Sequence, residues 1–111
     1  MLSSLGYVAV PTPGTPVRAT VNAADPTARV GAQTIYFQAK SDNSGVMYVG
    51  TVNMDKTTGV GVVGFIGTPA SESIPTFEPS LPTLPAGLNV ADYYIDADDA
   101  DDTCLVSYTQ G

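Results

Sequence analysis

The chain has 111 residues, of which 43% are hydrophobic and 14% are charged, and this composition excludes a disordered chain. Its net charge of −7 repels phosphate backbones and excludes nucleic acid as an expected partner, and no stretch approaches the roughly 18 apolar residues of a membrane-spanning helix. One cysteine excludes an internal disulfide, and the lack of histidine excludes Ser-His and Cys-His catalytic pairs. Because 11 glycines and 9 prolines favour turns and extended segments, we expect a single all-β domain.

The first 16 residues are predicted to form an extended N-terminal arm, followed by a β-sandwich domain over residues 17–111. A short apolar run, from Tyr7 to Val10, is the one hydrophobic stretch of this segment. Pro11, Pro13 and Pro16 follow it, and prolines cannot donate to a sheet ladder. The arm is therefore expected to be extended.

Strand patterns recur through the rest of the chain. Alternating apolar residues predict a half-buried strand at 17–21, and β-branched or aromatic runs predict strands at 34–40, 46–52, 60–66, 93–96 and 104–108. The Ser-Asp-Asn-Ser-Gly turn at 41–45 makes the strands at 34–40 and 46–52 a predicted hairpin. A long proline-rich loop occupies 67–87. We predict seven or eight short antiparallel strands in a β-sandwich or jelly-roll-like domain.

An acidic cluster lies between the last two predicted strands. It contains five aspartates in seven positions, which are Asp96, Asp98, Asp99, Asp101 and Asp102. An EF-hand loop that starts at the first of them fails, because its fifth, sixth and twelfth positions are alanine, aspartate and serine. The favoured interpretation is a solvated acidic hairpin tip without a metal. A calcium site of another type, with the five aspartates as candidate ligands, stays open.

A glycine pattern, Gly59-Val-Gly61-Val-Val-Gly64, matches the dinucleotide-binding fingerprint letter for letter. That fingerprint binds a cofactor only where a strand ends and a helix begins, and no helix is predicted here. We therefore expect no cofactor. The glycines are predicted to allow a bulge or a close approach of backbone to another strand or subunit.

The remaining chemistry does not indicate an enzyme, and no catalytic residue is predicted. A carboxylate pair of the glycosidase type needs a cleft, for which 111 residues leave little room. Cys104 falls in a predicted strand, where a buried and inert thiol is expected. Tyr36 and Tyr48, on adjoining predicted strands, could share a face and bind a sugar together with Tyr93 or Tyr94. The favoured interpretation places the tyrosines at rims of the core and at subunit contacts.

One stretch, TIYFQAKSDNSGVMYVGTVNMDKTTGVGV, and the later YYIDAD run before a terminal strand resemble small β-rich virion proteins of tailed bacteriophages. The resemblance covers roughly residues 33–66 and 88–109. Proteins of this kind are commonly capsid decoration or cement proteins, and others are head or tail components. The resemblance implies no catalytic residue and no cofactor.

The resemblance implies a structural protein that is made in the host cytoplasm and attaches to the outer surface of a phage head. Its expected partners are the major capsid protein and further copies of itself, as in a trimer, and neither nucleic acid nor a membrane. The expected contacts lie in the arm and in the proline-rich loop, at Leu2, Leu5, Tyr7, Val8, Val10, Ile74, Phe77, Leu81, Leu84 and Leu88. The alternatives are a tail or neck component and a receptor-binding module that recognises carbohydrate.

Overall fold

The computed structural model describes residues 2–40, 43, 45–66, 76–77 and 88–109, with only the backbone described for Leu2, Thr76, Phe77 and Leu88. These residues contain ten strands, β1 Leu2–Val10, β2 Val17–Arg18, β3 Gly31–Ala32, β4 Thr34–Ala39, β5 Met47–Gly50, β6 Val62–Ile66, β7 Thr76–Phe77, β8 Leu88–Asn89, β9 Tyr94–Ala97 and β10 Asp102–Thr109. One turn of 3-10 helix, Val90–Asp92, precedes β9. The described part of the chain has no helix long and apolar enough to cross a membrane.

The strands form two four-stranded antiparallel sheets and one two-stranded ribbon. Sheet A has the order β1-β10-β4-β7, sheet B has the order β2-β9-β5-β6, and β3 pairs with β8. Every pairing is antiparallel. The all-β prediction is confirmed, and two packed antiparallel sheets are the architecture of a β-sandwich. Jelly-roll connectivity stays a prediction.

One hydrophobic core joins the two sheets. Sheet A contributes inward-facing residues such as Ile35, Phe37 and Val106, and sheet B contributes Met47 and Ile95. Burial along β4 alternates between half-buried and buried residues, as the sequence pattern predicts. Side chains that alternate between the inner and outer face of each strand thus give both sheets an apolar inner face, and the two inner faces pack to form the sandwich.

The structure corrects the prediction of a separate N-terminal arm, because residues 2–10 form strand β1 of sheet A. β1 pairs with β10 along its length, from Leu2 opposite Thr109 to Val10 opposite Asp102. Val8 and Val10 are buried in the core. The segment is stabilised inside the sheet by the burial of these valines and by its backbone hydrogen bonds to β10. The prolines come after Val10, so they end the strand but do not keep it out of the sheet.

The structure also corrects the predicted hairpins. β4 lies in sheet A and β5 lies in sheet B, so the turn at 41–45 carries the chain from one sheet to the other. The acidic segment does the same between β9 and β10. A period of two indicates which side chains face inward but not which strand lies beside which. Strands that bury their faces against each other across a core show the same pattern as strands in a hairpin.

Candidate interaction surface

The hairpin of β5 and β6 has an ordered loop between its strands, residues 51–61, that folds back on itself. The amide of Thr51 donates to the carbonyl of Gly61 at 3.0 Å, and the amide of Asp55 donates to the carbonyl of Val60 at 2.8 Å. The amide of Gly59 in turn donates to the carbonyl of Asp55 at 2.8 Å. The backbone of the loop is thus held by its own hydrogen bonds.

Two glycines make this fold possible. Gly61 has φ +78°, and a Cβ atom on it would lie 2.9 Å from the Cα of Met54. Gly50 faces the same crowding, because a Cβ there would lie 2.5 Å from the carbonyl oxygen of Gly61. Met54, itself a residue of the loop, is buried. Gly61 thus makes a close backbone approach, but to Met54 within the same hairpin loop, whereas the sequence predicted an approach to another strand or subunit.

This hairpin carries four exposed apolar side chains, two in its loop and two on β6, which we call the hairpin surface. Phe65 is 70% exposed, Val60 66%, Val52 59% and Val63 50%. Exposed apolar patches on protein surfaces often mark interaction sites. Because the loop backbone is fixed, the valines are held in place before any partner binds, which lowers the entropy cost of binding.

Lys56 ties the hairpin loop to the neighbouring strand β9. Its Nζ donates to the carbonyl of Ala97 at 2.7 Å and lies 3.3 Å from Oδ1 of Asp98. The hydroxyl of Tyr48 is 3.2 Å from the other carboxylate oxygen of Asp98. Partial burial, followed by the negative charge of Asp98, raises the pKa of the Tyr48 phenol, so this group stays a neutral donor at neutral pH.

The five aspartates divide into two buried groups and three exposed ones. Asp96 accepts hydrogen bonds from the amides of Gly14 at 2.9 Å and Ala97 at 2.8 Å. Asp102 accepts one from the amide of Gly45 at 2.8 Å. Asp98, Asp99 and Asp101 are exposed, as expected of a solvated tip. The two buried carboxylates, which were expected to be part of that tip, fasten neighbouring loops instead.

The aspartates do not converge on a common point. Among the described residues no group of three or more histidine, cysteine, aspartate or glutamate side chains is placed to hold a metal ion. The structure therefore does not assemble the five candidate ligands of the calcium interpretation.

An open depression of about 370 Å³ lies beside the hairpin loop and is lined by Gly14, Met54, Asp55, Lys56, Thr57 and Asp96. Its polar groups already have partners within the chain. Asp96 accepts the backbone bonds described above, Lys56 is held by Ala97 and Asp98, and Asp55 accepts from the amide of Thr57 at 2.9 Å. The depression therefore shows no buried polar group that lacks a partner, and its lining does not indicate a particular ligand.

The predicted contact residues of the N-terminal segment lie on β1, where some side chains face solvent and others face the core. Tyr7 is 58% exposed and available to a partner. Leu5 packs partly against the core, while Val8 and Val10 are inside it and cannot contact another protein in this fold. This is a correction of the predicted contacts.

The other predicted contacts cannot be placed at the level of side chains. Ile74, Leu81 and Leu84 lie outside the described residues, and only the backbone is described for Leu2, Phe77 and Leu88.

The tyrosines do not form the predicted shared face. Tyr36 is in sheet A and Tyr48 is in sheet B. The ring of Tyr93 packs on Phe37 with centroids 5.9 Å apart, and Tyr94 lies under the guanidinium of Arg18 at 5.0 Å. Tyr93 therefore lies at the rim of the core, and Tyr94 contacts a basic group.

Cys104 is a buried thiol. Burial raises its pKa to about 12, so almost no thiolate forms at neutral pH. The expectation of an inert thiol is confirmed.

No known protein family, no curated protein and no solved structure matches this chain. The hairpin surface was missed by the analysis of the sequence, although a signal for it exists. The run from Thr57 to Ser71 contains no charged residue in a chain with 15 of them, and it includes β6, which lies at an edge of sheet B as far as the structure describes the chain.

Proposed function

We propose that the protein is a structural component, without enzymatic activity, that attaches to a larger protein assembly through the hairpin surface. The observation that carries the proposal is the placement of four apolar side chains, each at least half exposed, on one hairpin with an internally bonded loop. A rigid loop that displays apolar side chains is suited to docking in grooves of a partner.

The assembly that we propose is the head of a tailed bacteriophage, with the protein as a decoration or cement protein on its outer surface. This part of the proposal rests on the resemblance of residues 33–66 and 88–109 to small virion proteins of such phages. The partner is then the major capsid protein. The site of attachment moves from the N-terminal segment to the hairpin, because Val8 and Val10 are buried.

Many copies on one shell would make up for the small size of this surface. Full burial of a valine or phenylalanine side chain contributes roughly 1.5–3 kcal/mol, and part of that offsets the entropy lost on docking. One copy with four such side chains therefore binds weakly. A symmetric oligomer that engages several capsid subunits at once converts weak contacts into lasting attachment.

The exposed aspartates have a place in this proposal. Asp98, Asp99 and Asp101 lie in the crossing from β9 to β10 and carry much of the net charge of −7. On the solvent side of a decorated particle they would keep particles apart by repulsion.

The proposal is tested by counting copies per particle. Phage particles are purified from cells that express the chain with an affinity tag, and quantitative mass spectrometry measures the number of copies of the chain per particle. Hundreds of copies per particle support a decoration protein of the head. A dozen or fewer would favour the tail or neck component, and complete absence from particles would overturn the proposal.

A pair of variants tests the surface itself. Val52→Thr combined with Val60→Thr keeps the shape of the loop but adds two hydroxyl groups to the contact, and we expect the copy number to fall at least tenfold. The matched control is Val21→Thr, since Val21 is also exposed but belongs to a turn outside the hairpin. Equal copy numbers for the double variant and the control would remove the hairpin loop from the proposal.

A further inference from the structure

Among the described residues strand β6 is an edge strand of sheet B, and its outer side offers backbone groups to a further strand. Within the described residues its hydrogen-bonded neighbour is β5 on one side only. The direction of its peptide groups follows from the bond that the amide of Asp98 donates to the carbonyl of Val46 at 3.0 Å. This bond shows that Val46 directs its peptide groups towards β9, and so, by alternation, does Tyr48.

Phe65 therefore directs its amide and carbonyl away from the sheet. It stands opposite Tyr48 in the β5–β6 register, and the peptide groups of Tyr48 face β9. A pair of this kind exchanges no backbone bonds, so the N–H and C=O of Phe65 point outward. The same residue has the most exposed large apolar side chain of the described residues.

The charge pattern determines which partner suits this edge. The chain carries −7, and two copies repel each other over most of their surfaces. From Thr57 to Ser71 the sequence has no charged residue, and β6 lies within that stretch. The β6 edge is thus a place where two copies can meet without bringing carboxylates or like charges together on the pairing strands.

A strand that pairs with its own copy must be self-complementary about a twofold axis. If the axis passes at Phe65, its outward N–H bonds to the outward C=O of its counterpart, and the reverse bond forms as well. The two rings then lie side by side on one face, and cross-strand aromatic pairs stabilise antiparallel sheets. Such pairing would join two copies of sheet B into one eight-stranded sheet.

We infer that β6 is a dimerisation edge, at which two copies of the chain pair antiparallel with Phe65 at the twofold axis. The proposal does not depend on attachment to a particle, because it concerns the free protein. It assigns Phe65 to the pairing and leaves Val52 and Val60, in the hairpin loop, for attachment to the assembly proposed above. A dimer would present two such loops, which fits a symmetric oligomer that engages several capsid subunits.

The affinity of this dimer is expected to be low. A phenylalanine that is 70% exposed offers roughly 140 Å² of surface, since aromatic side chains bury about 150–250 Å². A standard stable interface buries about 800 Å² on each partner. The dimer is therefore expected to form in the upper micromolar range of protein concentration rather than at nanomolar levels.

Sedimentation velocity of the full chain over a range of concentrations tests the inference. We expect the wild type to shift from monomer to dimer as concentration rises, and to dimerise more readily at high salt, because salt screens the repulsion between like-charged copies. Phe65→Gln should lower the dimer association constant at least tenfold. A protein that is monomeric at every concentration and salt level would overturn the inference, and so would a trimer.

Two further variants separate loss of pairing from loss of folding. Phe65→Pro removes the outward N–H and the ring but no backbone bond to β5, so the protein should fold and remain a monomer. Tyr7→Gln is the control, because Tyr7 is an exposed aromatic residue of β1, at the edge of the other sheet. A dimer that persists in both Phe65 variants, or that is lost in the Tyr7 variant, contradicts the assignment of the β6 edge.

Discussion

The side-chain amide of Asn43 is bonded to the backbone of Thr103 in both directions. Its Nδ2 donates to the carbonyl of Thr103 at 2.8 Å, and its Oδ1 accepts from the amide of Thr103 at 2.8 Å. Asn43 is buried and lies in the crossing from sheet A to sheet B, while Thr103 is the second residue of β10. The amide thus takes the place of a strand residue and fastens the crossing to the first residues of β10, a central strand of sheet A.

Replacing Asn43 is expected to destabilise the protein. Asn43→Ala leaves the N–H of Thr103 without its acceptor at a partly buried position, whereas the C=O of Thr103 keeps the bond from the amide of Lys40 at 3.0 Å, so the variant costs about 1–3 kcal/mol of unfolding free energy. Chemical denaturation measures the change. Asn53→Ala, at an exposed asparagine of the hairpin loop, is the control and should change stability by less than about 0.5 kcal/mol. Equal losses in the two variants would contradict the role of the clamp.

The carboxylate of Asp96 is expected to hold the loop that follows β1. Asp96→Ala removes the acceptor for the amide of Gly14, so hydrogen exchange at Gly14 should speed up by at least tenfold. Asp96→Asn keeps an acceptor oxygen, and exchange at that amide should rise less. Asp99→Ala, at an exposed aspartate of the same cluster, is the control and should leave exchange at Gly14 unchanged. Protection of Gly14 that is equal in all three variants would exclude Asp96 as its anchor.

Two glycines of the hairpin loop are expected to respond differently to alanine. Both have positive φ, +82° at Gly59 and +78° at Gly61, so each substitution strains the backbone by roughly 1–2 kcal/mol. At Gly59 the added methyl meets open space, whereas at Gly61 it meets the backbone of Met54. We therefore expect a loss of about 1 kcal/mol for Gly59→Ala and of about 3 kcal/mol or more for Gly61→Ala. Thermal unfolding compares them, and similar losses would mean that the loop yields to the methyl group.

The stability of the fold is expected to fall at alkaline pH because of Cys104. Burial raises the pKa of its thiol from an ordinary value of 9.0 to about 12 in the folded protein, so the folded state holds the proton more tightly than the unfolded state. This contribution is fully present below about pH 9 and is lost as pH rises towards 12, with a slope of up to ~1.4 kcal/mol per pH unit. Denaturation between pH 8.5 and 10 measures the slope.

The alanine variant is the control for this pH dependence. Cys104→Ala lowers stability at every pH by creating a small cavity, but its stability should be nearly flat below pH 10. Tyr48 and Tyr93, whose pKa values are also raised by burial, add a loss in the same direction above pH 10. A slope that is unchanged in Cys104→Ala would show that another group is responsible.

Local pattern was sufficient to predict which residues of the strands face the core. The alternation in 34–40 predicted the burial of Ile35, Phe37 and Ala39, and the run from Cys104 to Tyr108 predicted the last strand. These predictions succeed because burial on a strand depends on a period of two, which neighbours in sequence display directly. Composition likewise determined the all-β class, through the excess of glycine and proline.

Only the tertiary structure decided which strands are neighbours, which carboxylates are buried and which surface is left open. Asp96 and Asp99 belong to one acidic run, yet one is held by Gly14, 82 residues away, and the other is exposed. Phe65 and Phe37 both lie in apolar strands, but one is at the edge of sheet B and the other is in the core. Such differences arise from contacts between residues far apart in sequence. The whole fold determines which strands pair, in what order they lie and which backbone amides reach a carboxylate, and none of this produces a local period in the sequence.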